Sequence, residues 1–149
     1  TDWRARSLQL AIFDVSDLAN PKQTFVQRVG TAYSWSEAQR EHKAFNYFPA
    51  KKLLAVPFYE WTWGQSSTYS YWYELKSDLR VFSVDALAGF TARGTLSMSD
   101  LGTRTSYYSS DALVRRSVMA DDFVYAISEA GIRVAQVNAL EAPLATAKF

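Results

Sequence analysis

The chain lacks cysteine altogether and carries one histidine, His42, in 149 residues. Without thiols there are no disulfides, no thiolate zinc sites and no cysteine nucleophile, and a lone imidazole excludes a multi-histidine metal centre. Charge of one sign is equally scarce: 16 basic residues face 15 acidic ones, a formal net charge of +1. Electrostatic nucleic-acid binders gather basic charge on one face, so nucleic acid is not expected as a partner. No apolar run approaches the roughly 18 residues of a membrane span, and Thr1-Asp2-Trp3-Arg4 does not read as a signal peptide. Glycine-rich phosphate loops, a Gly-x-Ser-x-Gly elbow and long amphipathic helices are missing as well. What is present is a globular composition, 48% hydrophobic, with a large aromatic share of 15%. That suffices for one domain with a substantial core.

Apolar residues recur mostly at every second position, in short runs rich in valine, phenylalanine and tyrosine, which predicts an all-β fold. Strands are expected at 8–15 and 24–29, at 43–48 and 53–58 as a hairpin around Pro49-Ala50-Lys51-Lys52, and at 90–96, 113–119, 123–128, 132–137 and 144–148. Residues 34–41 carry no clear β-pattern and have room for a helical turn. A long strand pair is expected to run from 53 to 63, turn at Gly64-Gln65-Ser66-Ser67, return through 68–75 and resume at 79–84 after Lys76-Ser77-Asp78. The segment 99–111, without periodicity or aliphatic anchors, reads as a mobile loop.

An internal repeat organises these strands. Ile12-Phe13-Asp14-Val15-Ser16-Asp17-Leu18 aligns with Val81-Phe82-Ser83-Val84-Asp85-Ala86-Leu87 and with Val134-Ala135-Gln136-Val137-Asn138-Ala139-Leu140. Val15, Val84 and Val137 lie 69 and 53 residues apart, and the surplus of 16 in the first interval matches a hairpin tip around Gly64. Each copy is followed by one strand and then by a hairpin leading to the next copy, which makes a four-stranded antiparallel unit. Such units repeated radially are β-propeller blades. The expected fold is a partial β-propeller of about two and a half blades: the last two strands of one in 1–30, a second with an extended hairpin in 31–97, and a third in 98–149. A closed ring uses roughly four to eight blades, so the remaining blades are expected as partners, from the parent chain or another chain. Alone, the uncovered faces and edges should make the fragment poorly soluble or oligomeric.

A Ser-His-acid arrangement has to use His42, with Glu37, Glu41 or a distant aspartate as orienter and one of the many serines as nucleophile. His42 opens a predicted strand, so it is expected as a structural histidine bonded to a loop backbone. Asp14 with Asp17 and Asp121 with Asp122 are pairs of the kind a glycosidase or a calcium site uses. They sit at strand ends and turns, where aspartate caps local N–H groups. Arg115-Arg116 offers guanidinium to a planar anion, but as strand neighbours only one of the two reaches a given site. No catalytic, cofactor-binding or metal-binding residue is assigned, and no cofactor is expected.

The strongest oddity is aromatic crowding: residues 58–73 hold eight aromatics in 16 positions. If Trp63 pairs with Thr68, then Trp61 faces Ser70 and Tyr59 faces Trp72 on one side, while Phe58 faces Tyr73 and Glu60 faces Tyr71 on the other. This puts Trp61, Trp63 and Trp72 on one face and Tyr69, Tyr71 and Tyr73 on the opposite one. A projecting hairpin cannot bury both in its own core, so Tyr59, Trp61, Trp63, Tyr69, Tyr71, Trp72 and Tyr73 are the candidate contact residues for a protein, peptide or glycan. Packing against an adjacent blade is the competing reading.

The residues also resemble a known family. Leu10-Ala11-Ile12-Phe13-Asp14-Val15-Ser16-Asp17 with Asn20-Pro21, Tyr33-Ser34-Trp35-Ser36-Glu37-Ala38 leading to His42-Lys43-Ala44-Phe45, Arg115-Arg116-Ser117, and Phe123-Val124-Tyr125-Ala126-Ile127-Ser128 running to Gly131-Ile132 are similar to the β-propeller domain of secreted bacterial and archaeal proteins, distantly related to WD-repeats. The resemblance covers nearly the whole chain and implies the C-terminal part of a larger exported protein, extracellular or in the cell envelope. Where that family has a histidine after its Gly-Thr-(Ile/Leu)-Ser strand, this chain has Met98. No activity carries over residue by residue. The expected function is a non-catalytic binding or scaffolding module, and the alternative is the propeller part of a secreted hydrolase whose catalytic residues lie outside this chain.

Overall fold

The computed structural model describes residues 7–67, 70–102 and 110–149, with 64–67 and 70–72 described by backbone alone. Among these residues the strands are β1 (Leu8–Asp14), β2 (Lys22–Val29), β3 (Ser34–Trp35), β4 (Asn46–Phe48), β5 (Leu53–Ser67), β6 (Ser70–Asp85), β7 (Gly89–Ser97), β8 (Arg116–Ala120), β9 (Phe123–Ile127), β10 (Gly131–Gln136) and β11 (Ala145–Lys148). They form three antiparallel sheets. The first pairs β1 with β2, the second runs β5-β6-β7 with β3 and β4 sharing the far edge of β5, and the third runs β8-β9-β10-β11. The fold is an all-β partial propeller.

The repeat is visible in the backbone. β1, β6 and β10 are each followed by a hairpin to an outer strand, and β6 and β10 are each preceded by a pairing strand, β5 or β9. The β1–β2 register shifts between Ile12 and Phe13, and the β6–β7 register shifts between the aligned Val81 and Phe82. The extra residue lies on the outer strand in both cases, Thr24 and Arg93. A bulge kept at the same place in two repeats marks the same bend in each blade.

Alternation along β5 and β6 explains the continuous apolar run Leu53-Leu54-Ala55-Val56. Side chains of successive strand residues point to opposite faces. Leu54, Val56, Phe58 and Phe82 face the first sheet and pack with Leu8, Leu10 and Val29. Leu53, Ala55, Leu79 and Val81 face the third sheet and pack with Val114, Val124, Ala126 and Ala135. The middle sheet is thus buried on both faces. Met98 belongs to this second core and is fully buried, so the position at which the resemblance implied a histidine is a packing position.

Pro57 sits inside β5, where a ring without N–H normally breaks a ladder. Here β4 pairs with residues 53–55 and β3 with 59–60, so Pro57 falls in the gap between two inner strands and no bond is lost. Three expectations are corrected. β6 runs unbroken from Ser70 to Asp85, because Lys76-Ser77-Asp78 is held by β7 and by the segment beyond it rather than forming a turn. β5 continues through Gly64 to Ser67, where a turn was expected, and Ser67 pairs with Ser70. His42–Ala44 form a 3-10 turn, capped by the Glu41 side chain on the Lys43 N–H, instead of opening a strand. Of the expected mobile loop, Ser99–Leu101 form a 3-10 turn, and 103–109 lie outside the described residues.

Charged groups close the sheet junctions. Arg133, on β10, is buried, and its two terminal nitrogens grip both Asp100 oxygens at 2.7 and 2.8 Å while Nε donates to Thr146 at 3.1 Å. The Arg133 bond holds the Asp100 carboxyl below its ordinary value. On the opposite face of the middle sheet, Arg80 lies 3.3 Å over the Phe58 ring, and burial pushes the Asp78 carboxyl up despite the Ser97 hydroxyl and the Arg80 charge.

Three outcomes follow from this packing. Arg133→Met should cost about 2 to 3 kcal/mol in chemical denaturation, the scale of charge-assisted bonds lost at a partly buried pair. Gly131 has φ +154°, and a β-carbon there would lie 2.2 Å from the Ala147 carbonyl oxygen. Gly131→Ala should therefore cost about 2 kcal/mol or more and release β11, read as faster amide exchange in 145–148. For Asp78 the folded pKa is raised, so its ionisation opposes folding as pH rises through that value. Asp78→Asn should raise the denaturation midpoint at pH 7, and the gain should shrink as the pH falls through the raised folded value and be gone below about 4, where the carboxyl is protonated in both states.

Candidate functional site

The long hairpin reaches past its own sheet. β3 covers β5 only to about Trp61, where its N–H meets the Tyr33 carbonyl at 3.3 Å, and β7 together with Met98 covers β6 only from Ser77 onward. Beyond that, residues 62–67 and 70–76 pair only with each other among the described residues, a two-stranded ribbon roughly 20 Å long at about 3.3 Å per residue.

Its register differs from the expected one. Trp63 pairs with Tyr73, Trp61 with Leu75, Tyr59 with Ser77 and Glu60 with Lys76. The two strands stay paired past Gly64 as far as Ser67 with Ser70, which moves the partners of residues 58–63 by five positions and reverses which strand residues share a face. Trp63 and Tyr73, expected on opposite faces, are cross-strand neighbours on one face. By backbone register Tyr71 lies opposite Gln65 and Trp72 opposite Gly64, and Tyr69 falls outside the described residues.

The candidate residues now form a graded stripe. Tyr59, Trp61 and Trp63 continue the same face of β5 that carries Leu53 and Ala55. Tyr59 is fully buried, Trp61 half-buried and Trp63 56% exposed, with Tyr73 beside it 65% exposed. Tyr59 is therefore a core residue and not a contact residue. Its hydroxyl donates to the Val114 carbonyl, its ring tilts 58° against Trp35 at 5.5 Å, and burial raises its pKa, with Glu37 adding to the effect. The stripe leaves the core at Trp61 and ends in solvent at Trp63 and Tyr73. On the other face, beyond buried Phe58 and Glu60, the described side chains are Thr62, Glu74 and Lys76, and by backbone register the Trp72 position falls on this face as well.

Sequence reasoning missed Tyr33. This tyrosine, 44% exposed, sits in the turn after Gly30 and meets Trp63 edge to face, rings 5.0 Å apart and 84° between planes. Aromatic pairs favour that geometry, and it adds about 0.5 to 1.5 kcal/mol beyond the area buried. The signal lay in the aromatic pair of Tyr33-Ser34-Trp35, read only as a family motif. Tyr33, Trp63 and Tyr73 make the exposed platform.

The other candidates are held in local structure. His42 is 88% exposed, with Nδ1 3.5 Å from the Glu41 carboxylate, and does not support a loop as expected. Arg115 bonds Glu37 at 3.1 Å and Glu129 at 3.2 Å, while Arg116 pairs with Glu41 at 3.5 Å, so each guanidinium already has a carboxylate. Asp14 accepts from the Ser16 N–H and Asp17 from the Asn20 amide and the Ala19 N–H, bonds that hold both carboxyls below their ordinary values. Asp121, at φ +50°, makes the β8–β9 turn with Asp122, whose carboxylate takes Lys51 at 2.6 Å. Among the described residues no three His, Cys, Asp or Glu side chains gather as a metal site, and no helix is long and apolar enough to cross a membrane.

Comparison with known proteins agrees with this architecture. The family described as Beta propeller domain matches residues 1–140. No curated protein and no solved structure matches the chain. Because the match spans nearly all of the sequence and the strands repeat as blades, the chain belongs to the Beta propeller domain family.

Proposed function

We propose that this chain is a non-catalytic binding or scaffolding module of a larger exported propeller protein, and that it contacts a protein, peptide or glycan through the aromatic end of its long hairpin. The observation that carries this reading is the pairing of Trp63 with Tyr73 on the solvent side of a ribbon that no other described strand covers. Fully burying a large aromatic contributes about 1.5 to 3 kcal/mol, and the two rings forgo most of that in the isolated chain. Rigid amphipathic rings bind with little side-chain entropy lost, and tyrosine and tryptophan are enriched at contact surfaces for that reason. Export is supported by the family resemblance.

The test is a screen of the labelled chain on glycan and peptide arrays, followed by a Trp63→Ala, Tyr73→Ala double variant. Binding should fall at least about tenfold, the loss expected of a hot-spot aromatic. The denaturation free energy should change by about 1 to 2 kcal/mol, the Tyr33–Trp63 edge contact and the covered part of the two rings included. Tyr59→Ala serves as the contrast and should cost about 3 to 5 kcal/mol as a core truncation. Equal binding by the double variant, or a stability loss as large as that of Tyr59→Ala, would overturn the proposal, the second result assigning the stripe to internal packing.

A further inference from the structure

Residues 61–73 carry no charged side chain and no aliphatic one: six of the thirteen are tryptophan or tyrosine, and the rest are threonine, serine, glycine and glutamine. Charge returns at Glu60, Glu74 and Lys76, and the register puts all three on the face opposite Trp63. The exposed rings thus stand on a length of ribbon whose polar groups are all neutral.

The pairing sets how those rings are held. The Trp61 N–H meets the Tyr33 carbonyl and the Ser77 carbonyl takes the Met98 N–H, so the odd-numbered residues of both strands turn their main-chain groups outward. Trp63 and Tyr73 are therefore a non-hydrogen-bonded pair, the closer of the two kinds, with α-carbons about 4.5 Å apart. Along the same face Trp61 lies one step nearer the core, and the Gln65 and Tyr71 positions pair one step farther out, in steps of about 6.6 Å. Tyr33 meets Trp63 edge to face at 5.0 Å and 84°, which holds the indole in one orientation.

This surface selects among ligands. A charged peptide finds no counter-charge on it. Protein interfaces draw on arginine and methionine as well as aromatics, and residues 61–73 contain neither. A pyranose with equatorial hydroxyls matches on both counts. Its two faces present C–H groups made positive by neighbouring oxygens, which suit the negative faces of aromatic rings, and its rim of hydroxyls suits neutral phenol, indole, amide and hydroxyl groups.

We infer that the platform binds a neutral, gluco-configured polysaccharide, with sugar faces stacked on Trp63 and Tyr73 and the stripe admitting more than one sugar unit. This rests on the reading of the hairpin as a contact surface and names its ligand class.

The intact chain is passed over immobilised mixed-linkage β-glucan, with polygalacturonate and phosphatidylcholine vesicles as the acidic and lipid comparisons. It should bind the glucan, and with equal affinity at low and high salt, since no ion pair is involved. Trp63→Ala should weaken binding about tenfold or more. Tyr33→Ala, which releases the indole without removing it, should weaken it less, and Glu74→Gln, on the opposite face, should leave it unchanged. Should Trp63→Ala disturb the fold, Tyr33→Ala and quenching of the unaltered chain's tryptophan emission by soluble glucan give the answer. Absence of glucan binding would overturn the inference, as would equal binding by Trp63→Ala, a preference for polygalacturonate that salt removes, or a preference for vesicles, which assigns the rings to a lipid surface. A chain that ignores glucan yet binds a peptide through Trp63 sinks the inference and leaves the contact-surface reading standing. If the Trp63→Ala, Tyr73→Ala pair alters binding to no ligand at all, both fall.

Discussion

The middle sheet has no face to spare for water. β5 and β6 send alternate side chains into two separate cores, one shared with β1 and β2 and the other with the sheet of β8 to β11. Every other feature is arranged around that double burial. The run of apolar residues in β5 cannot alternate with polar ones, and Met98 must fill space on one side. Arg133 with Asp100 closes one junction and Arg80 over Phe58 the other. A register slip of one residue in β5 would exchange the contents of the two cores, and the pairs Leu53 with Ser83 and Leu54 with Phe82 are not interchangeable in volume.

The blade repeat was legible in the sequence because it is written in covalent order. Val15, Val84 and Val137 end strands that each turn back to an outer partner, and the polar turn and leucine after them recur with little change. The hairpin register was not legible, for a physical reason. Residues 64–72 are glycine, glutamine, serine, threonine, tyrosine and tryptophan, a mixture with fair strand propensity and no apolar alternation to pin one pairing over another. Gly64 looked like a turn residue, yet the register is dictated from below by Leu53 to Phe58, whose cores fix the pairing before the tip is reached.

The site was legible in part. Trp63 and Tyr73 were recognisable as surplus aromatics, but Tyr59 is indistinguishable from them in sequence and differs only in depth along the same stripe. Tyr33 could not be found by local pattern, since its meeting with Trp63 joins segments about 30 residues apart. His42 misled because its neighbours Lys43 to Phe48 alternate like a strand, whereas the Glu41 carboxylate captures the Lys43 N–H and tightens the backbone into a 3-10 turn.

Pro57 has a consequence for how this protein tolerates change. The residue stands where β3 has ended and β4 has not begun, so the inner edge of the middle sheet is built from two short pieces with a detour of residues 36–45 between them. The detour is anchored by its own caps, Ser36 with Gln39 and Glu41 with Lys43, and of its residues only Ser36 and Ala44 are buried. Insertions near residue 40 lengthen an excursion and leave both cores in register. The proline thus marks the point on the innermost edge of the blade at which sequence length is free to vary without being felt by the rest of the propeller.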